Sequence, residues 1–151
     1  MRILDTARVA YTCHSYDHKD GKIDGVSVAN KLGQDPRQVY KTLVTIGHSN
    51  GYYVFVLPVG CELDLKAAAR AVGEKSVHMI PVSQINKVTG YIRGGCSPVG
   101  MKKQYPSVFD SSCLALSTMM VSGGKIGCQV EVAPQQLIEL VGGITADIVE
   151  R

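Results

Sequence analysis

Two β-rich runs joined by a tight turn place the strongest constraint on how this chain folds. The runs Val39–Ile46 and Tyr52–Val59 are dominated by β-branched and aromatic residues, and Asn50 and Gly51 lie between them. An Asn-Gly step supplies the positive φ that a short hairpin turn requires. The chain therefore contains a predicted antiparallel hairpin, which argues against a sheet built only from parallel βαβ units.

Hairpins and helices alternate along the rest of the chain. A second hairpin is predicted from Ala115–Val121 and Ile126–Val132, and further strands over Tyr11–Tyr16, Val77–Ile80, Ser107–Ser111 and Ala146–Val149. Helices are predicted over 2–10, from Asp24 to Gly33, over Leu65–Val72 and Pro81–Val88, and from Pro134 to Gly142. No linker or repeat interrupts the 151 residues, so we expect one mixed α+β domain spanning 1–151.

Composition narrows the class of protein. Hydrophobic residues make up 45% and charged residues 19%, and the net charge is +3, without a basic arm. Five cysteines without a CxxC spacing argue against a disulfide framework or a zinc site. Residues 42–61 lack charges but contain turn residues, so they predict a hairpin rather than a membrane span. Residues 1–13 contain Asp5 and Arg8 and lack the uninterrupted apolar core of a signal peptide, so a cytoplasmic protein is expected.

Lys41 is the most informative single residue. With a period of two, it shares a strand face with the apolar Val39 and Leu43. A lysine there either lies on a solvated face or is buried near a partner, because burial of an unpaired ammonium lowers its pKa. The sequence leaves both interpretations open.

The segment from Gly90 to Gly100 reads GYIRGGCSPVG, which predicts a structured loop. Glycines such as Gly94 and Gly95 let backbone amides approach a ligand, and several amides together can bind an anion or a carbonyl oxygen. Ser97 adds a hydroxyl and Pro98 stiffens the loop. Because the segment matches neither GxGxxG nor a Walker loop, a plain connecting turn is the alternative.

His14, Tyr16 and His18 follow one face of the first predicted strand. A metal site would need further ligands that the sequence does not cluster, so we predict no metal and no other cofactor. A pocket-facing tyrosine and ordinary polar strand-end residues remain the alternatives. Neither Cys96 nor Cys128 is spaced to pair with a histidine base, which argues against a Cys–His hydrolase.

Taken in order, several segments resemble the YbaK family of free-standing aminoacyl-tRNA deacylases, which is similar to the editing domain inserted in bacterial prolyl-tRNA synthetases. The segments are HSYDH (14–18), VYKTL (39–43), GYIRGGCSPVGMKK (90–103), VSGGKIGCQVEVAP (121–134) and ADIVE (146–150). They extend over nearly the whole chain. The resemblance implies a mixed α/β domain with a curved, mostly antiparallel sheet and peripheral helices.

The resemblance also implies which residues act. Lys41 matches a strand lysine that is needed for activity and contacts the 3′ end of the substrate, and Gly100 matches a position whose backbone contacts the substrate. The substrate-binding residues implied are Tyr16, Gly94, Gly95, Ser97, Pro98 and Gln136. Gln136 stands where some members have an aspartate, so it keeps hydrogen bonding but loses negative charge.

The activity implied is removal of cysteine from mischarged Cys-tRNA(Pro), with Cys-tRNA(Cys) as a further substrate. In this type of enzyme the substrate's own thiol attacks its ester, which fits the lack of a Cys–His pair. The partners implied are the tRNA acceptor end and prolyl-tRNA synthetase, and no membrane. Two alternatives remain: an Ala-tRNA(Pro) deacylase that activates water, and a non-catalytic module of the same fold that binds a small molecule or nucleotide.

Overall fold

Two β-sheets with short helices around them make up the part of the chain that the computed structural model describes, residues 2–22, 25–92 and 95–150. The strands are β1 Tyr11–Ser15, β2 Tyr40–Gly47, β3 Tyr52–Pro58, β4 Val77–Met79, β5 Ser107–Asp110, β6 Met119–Ser122, β7 Cys128–Val132 and β8 Ile144–Ala146. The α-helices are α1 Arg2–Thr6, α2 Gly25–Lys31, α3 Leu65–Val72, α4 Ile85–Thr89 and α5 Pro134–Val141. Every helix in these ranges is too short or too polar to cross a membrane.

The predicted hairpin forms the centre of the large sheet. β2 and β3 pair antiparallel from Tyr40 opposite Pro58 to Ile46 opposite Tyr52. Asn50 has a φ of 71°, as the Asn-Gly turn requires. β4 adds antiparallel to β2, and β5 and β8 add in parallel on the other side, in the order β4-β2-β3-β5-β8.

The second predicted hairpin, β6–β7, forms a small antiparallel sheet with β1, in the order β1-β7-β6. The predicted α+β class with mostly antiparallel pairing is therefore confirmed, although the strands form two sheets rather than one. The reason lies at β2, whose second edge is shared by two strands. A parallel bridge from Val39 to Met120 joins it to β6, whereas Thr45–Gly47 pair with β4.

Two predicted elements are shorter than the sequence suggests. The first helix ends at Thr6 rather than residue 10, because Arg8 adopts a left-handed φ of 59°. The strand predicted over Ala115–Val121 begins only at Met119. A 3₁₀ helix, Ser111–Ala115, occupies the start of that segment.

The final strand is displaced from its predicted position. β8 covers Ile144–Ala146 instead of Ala146–Val149. The amide of Ile148 donates to the Asp110 carboxylate at 3.1 Å, and its side chain is fully buried under α3. The apolar residues predicted as a strand therefore indicate core packing. Burial of a side chain of this size contributes roughly 1.5–3 kcal/mol to the stability of the fold.

Candidate functional site

One edge of β2 is open where the two sheets separate. Val39 bridges Met120 at the start of β2, and further along the Ile80 amide donates to the Val44 carbonyl at 3.3 Å. Between these contacts, residues 40–43 have no strand partner on that edge within the described ranges. Lys41 lies in this gap in the pairing of β2.

Lys41 shares a face of β2 with Val39 and lies opposite Leu57 of β3, which belongs to the core under α3. Val39, two residues earlier on that face, packs against Ala29 of α2 and Met120 of β6. Lys41 is half-buried, and no carboxylate in the described part of the chain lies within ion-pair distance of its ammonium. An unpaired ammonium in such a place is available for an anionic or strongly polar ligand.

The small sheet presents a polar face on the same side. His14 of β1 and Ser122 of β6 both lie opposite Gln129 of β7, so these three side chains share a face. We call it the polar face of the small sheet. Tyr16 follows β1, and its amide donates to the Gly127 carbonyl at 3.1 Å. Met120 belongs to the same face, and its bridge to Val39 places β2 beside β6, whereas Tyr16 follows β1 at the opposite edge of the small sheet.

Three side chains are linked by hydrogen bonds along the outer edge of this face. Glu131 accepts hydrogen bonds from the Thr118 hydroxyl at 2.6 Å and from His14 Nε2 at 2.9 Å. A carboxylate only accepts, so Nε2 carries the proton. The Thr118 hydroxyl, followed by His14, holds the pKa of Glu131 below its ordinary value.

Replacing Glu131 by glutamine should destabilise the protein at neutral pH by about 1–2 kcal/mol, since bonds to a charged group are lost. Because the pKa is lowered in the folded state, this contribution is full above the unfolded carboxyl's pKa of about 4.3 and is lost as the pH falls through the folded-state value. Urea unfolding of both proteins at pH 7 and at about pH 3 measures this difference in the free energy of unfolding. Glu139→Gln on exposed α5 is the control, and an equal loss at both pH values would contradict the assignment.

The glycine-rich loop follows α4 and lies against the turn between β6 and β7. Gly95 is buried, and a Cβ there would lie 3.0 Å from Lys125 Cα and 3.1 Å from the Ile126 nitrogen, which explains the glycine. The buried Ser97 accepts a hydrogen bond from the Val99 amide at 3.2 Å, and Pro98 is buried beside it. Ser97 and Pro98 thus shape the loop. Gly94, also predicted for this site, lies outside the described residues.

Gly100 lies between α1 and Tyr91. It is exposed with a φ of 78°, and a Cβ there would lie 2.9 Å from both Ile3 Cδ1 and the Tyr91 hydroxyl. A Cβ on Gly124 would lie 3.1 Å from the Tyr91 ring, so Tyr91 links Gly100 to the same β6–β7 turn that Gly95 contacts. Gln136 is exposed on α5 and lines an open groove with residues 7–9, on the far side of α1 from this turn.

Three polar residues on these elements escaped the sequence analysis. Gln129 is 3% exposed and is bound by Gln34, and Thr42 follows Lys41 in β2. Thr42 Oγ1 and Gln34 Oε1 are buried, and neither has a hydrogen-bond partner among the residues that the structure describes. Such atoms are unusual in folded proteins and ask for a ligand or water. The available signal was a polar residue at a core-facing strand position, as for Gln129 within CQVEV.

The thiols of Cys96 and Cys113 are poor nucleophiles. Burial raises the pKa of Cys96 and of Cys113 to about 11. Only roughly one such thiol in ten thousand is a thiolate at pH 7, and the thiolate is the reactive form. Among the described residues, no three His, Cys, Asp or Glu side chains are grouped to hold a metal ion.

Alkylation with iodoacetamide near neutral pH should therefore modify the exposed Cys13 first and leave the activity intact. Cys96 and Cys113 should react only after unfolding in guanidinium. Peptide mass mapping at successive times, with activity measured after quenching, tests this, and Cys13→Ser is the control. Loss of activity in step with Cys96 alkylation would show that a protein thiol takes part.

Comparison with known proteins identifies the family of the chain. The family model for the aminoacyl-tRNA editing domain matches residues 24–140, which include the gap in β2, the glycine-rich loop and the β6–β7 hairpin. The chain belongs to the aminoacyl-tRNA editing domain family. This confirms the resemblance noted above, and with it the activity class: an enzyme that deacylates aminoacyl-tRNA.

Individual relatives of this editing domain agree in sequence and in fold. A protein of Enterococcus faecalis named "Putative Cys-tRNA(Pro)/Cys-tRNA(Cys) deacylase EbsC" is 40% identical over 148 residues, covering 98% of this chain and 90% of the relative. The crystal structure of a hypothetical protein superposes with a TM-score of 0.90 at 22% identity, covering 99% of this chain and 97% of that one. One described as "a putative trans-editing enzyme for prolyl tRNA synthetase" has a TM-score of 0.85 at 24% identity, covering 99% and 94%.

Proposed function

We propose that this editing domain, acting as one unit over 1–151, removes cysteine from Cys-tRNA(Pro) and also from Cys-tRNA(Cys). Support comes from the name of the E. faecalis relative, which shares 40% of its residues over 98% of this chain. The observation that carries the proposal is the half-buried Lys41 ammonium at the open edge of β2, without a carboxylate within ion-pair distance in the described residues. The 3′ end of an aminoacyl-tRNA offers such an ammonium anionic and strongly polar groups.

The chemistry assigned to this site uses the substrate's thiol as nucleophile. The thiol gives up its proton, and its sulfur attacks the ester carbonyl carbon. The tetrahedral intermediate then expels the ribose oxygen, which takes a proton and leaves as the tRNA hydroxyl, while cysteine leaves as a thiolactone. Since nucleophile and ester belong to one molecule, proximity lowers much of the barrier. The protein needs only to orient the group and stabilise the oxyanion.

We assign the remaining roles to the predicted residues. Lys41 orients the 3′ end, and loop amides, including those of Gly94, Gly95 and Gly100, face the carbonyl oxygen. Ser97 and Pro98 hold the loop in shape. Tyr16 binds the substrate across the polar face from Lys41. Gln136, at the α1 side, contacts the substrate only where the acceptor end extends that far.

We further propose that the protein contacts only a small part of the tRNA. The net charge of +3 without a basic run suits a protein that touches the acceptor end rather than a whole tRNA. Discrimination between tRNAs would then come from a synthetase that presents the substrate, and we propose prolyl-tRNA synthetase. The naming of a structural relative as a trans-editing enzyme for that synthetase supports this choice.

The experiment is deacylation of Cys-tRNA(Pro), Cys-tRNA(Cys) and Ala-tRNA(Pro) by the purified protein, with and without prolyl-tRNA synthetase. We expect loss of cysteine from both cysteinyl substrates, and a preference for tRNA(Pro) only when the synthetase is present. Turnover of the alanyl substrate alone would identify an alanyl-specific deacylase. Binding without turnover of any substrate would identify a non-catalytic module.

A further inference from the structure

The side chains of Gln34 and Gln129 form a buried amide pair with one polar atom left over. Gln34 Nε2 donates to Gln129 Oε1 at 2.8 Å. Gln129 is 3% exposed, and Gln34 Oε1 is buried without a partner among the described residues. Leaving a buried acceptor unsatisfied costs stability, so the arrangement is explained best by a ligand that supplies the missing bond.

Exchanging the oxygen and nitrogen of the two amides does not remove this feature. If both were turned round, Gln129 would donate to Gln34, and the leftover atom of Gln34 would be its nitrogen. With the pair as placed, the leftover atom is an acceptor, so the group that meets it must be a hydrogen-bond donor.

The pair lies within the candidate site. Gln129 stands on the polar face of the small sheet, directly between His14 and Ser122 on its two neighbouring strands. Gln34 comes just after α2, whose Ala29 packs against Met120 of the same face and Val39 of β2. Gln34 therefore lies against the polar face of the small sheet, which the bridge from Met120 to Val39 joins to the strand that carries Lys41.

We infer that Gln34 Oε1, held in place by Gln129, accepts a hydrogen bond from the α-ammonium of the substrate's aminoacyl group. This inference rests on the proposed function. The α-ammonium is the donor that every aminoacyl-tRNA with a free amine carries next to the ester. The nearby carboxylate on the polar face, Glu131, is already bound by His14 and Thr118. The site thus binds the ammonium through a neutral amide, and Gln34 determines specificity for substrates that carry the α-amine.

The test compares two substrates that both keep the thiol. One is Cys-tRNA(Pro), and the other is 3-mercaptopropionyl-tRNA(Pro), which lacks the amine. Gln34→Met should lower kcat/KM for the first by roughly 10- to 100-fold, the range for a bond to a charged group. For the second substrate we expect a change of less than about twofold. Gln135→Met, at an exposed position of α5, is the matched control and should change neither.

Gln34→Met alone leaves Gln129 unpaired, so the double variant Gln34→Met/Gln129→Met is made as well. Replacing both amides by apolar side chains of similar shape removes the unsatisfied atom, so its melting temperature should equal or exceed that of the wild type. We expect the double variant to show the same selective loss on the amine-bearing substrate.

Equal losses on both substrates, or no loss on either, would overturn the assignment of the α-ammonium. A double variant that melts at a lower temperature while keeping full activity would show that the pair is only structural. If the wild-type protein turns over neither substrate, the proposed function itself fails, and this inference fails with it. These results are distinct, because only the last concerns the unmodified protein.

Discussion

Replacing Lys41 by methionine is expected to reduce kcat/KM for Cys-tRNA(Pro) by about 100-fold or more, the usual cost of losing one charged or hydrogen-bonding group that stabilises the transition state. The fold should survive, because Lys41 forms no ion pair with a described residue and lies between the apolar Val39 and Leu43. Single-turnover deacylation measures the effect, and thermal unfolding checks the fold.

Lys66→Met, at an exposed position of α3, removes the same charge from another part of the surface and is the control. It should retain the wild-type rate, which separates a local role of Lys41 from a general effect of net charge on tRNA binding. A Lys41→Met protein that is folded and fully active would contradict the placement of the site at the gap in β2. Reduced affinity without any turnover in the wild type would instead favour a binding module.

The second large effect concerns the substrate rather than the protein. Ser-tRNA(Pro) and Ala-tRNA(Pro) should be deacylated at least about 100-fold more slowly than Cys-tRNA(Pro), because neither carries a thiol that can attack its own ester. The rate on the cysteinyl substrate should rise with pH towards the substrate thiol's pKa, since the thiolate is the nucleophile. Because Cys96 and Cys113 are buried with raised pKa values, their thiols cannot replace the substrate thiol as the nucleophile.

Detection of the released thiolactone, captured before it hydrolyses, distinguishes this route from attack by water. The serine and alanine esters serve as controls for tRNA binding if their affinities match that of the cysteine ester. Rapid loss of alanine would move the protein to the water-activating type of deacylase. The Gln34–Gln129 pair would then be the first place to look for the water.

Local sequence determined much of this fold. The Asn50–Gly51 turn could be predicted because it needs only the positive φ that those two residues allow. Helix α3 could be predicted with both ends, since Asp64 accepts hydrogen bonds from the Lys66 and Ala67 amides and Gly73 adopts a left-handed φ of 72°. These features depend on contacts within a few residues, which a sequence displays directly.

The sequence also identified the family and Lys41, because ordered motifs and the two-residue period of a strand are properties of the chain itself. It could not show what would cover the face of β2 that carries Lys41, because both faces of β2 carry apolar residues. In the structure, Val39 on that face packs against α2, and Leu57 opposite Lys41 packs under α3.

Only the tertiary structure decided how the polar residues are grouped. Gln34 and Gln129 are 95 residues apart and meet because β7 pairs with β1 and β6 beneath the segment after α2. Gln136, which motif order grouped with Lys41, lies instead beside the residues that follow α1. A sequence pattern indicates which positions are buried. Which strand edges pair is decided by contacts between residues distant in the chain, and this pairing determines which buried groups become neighbours.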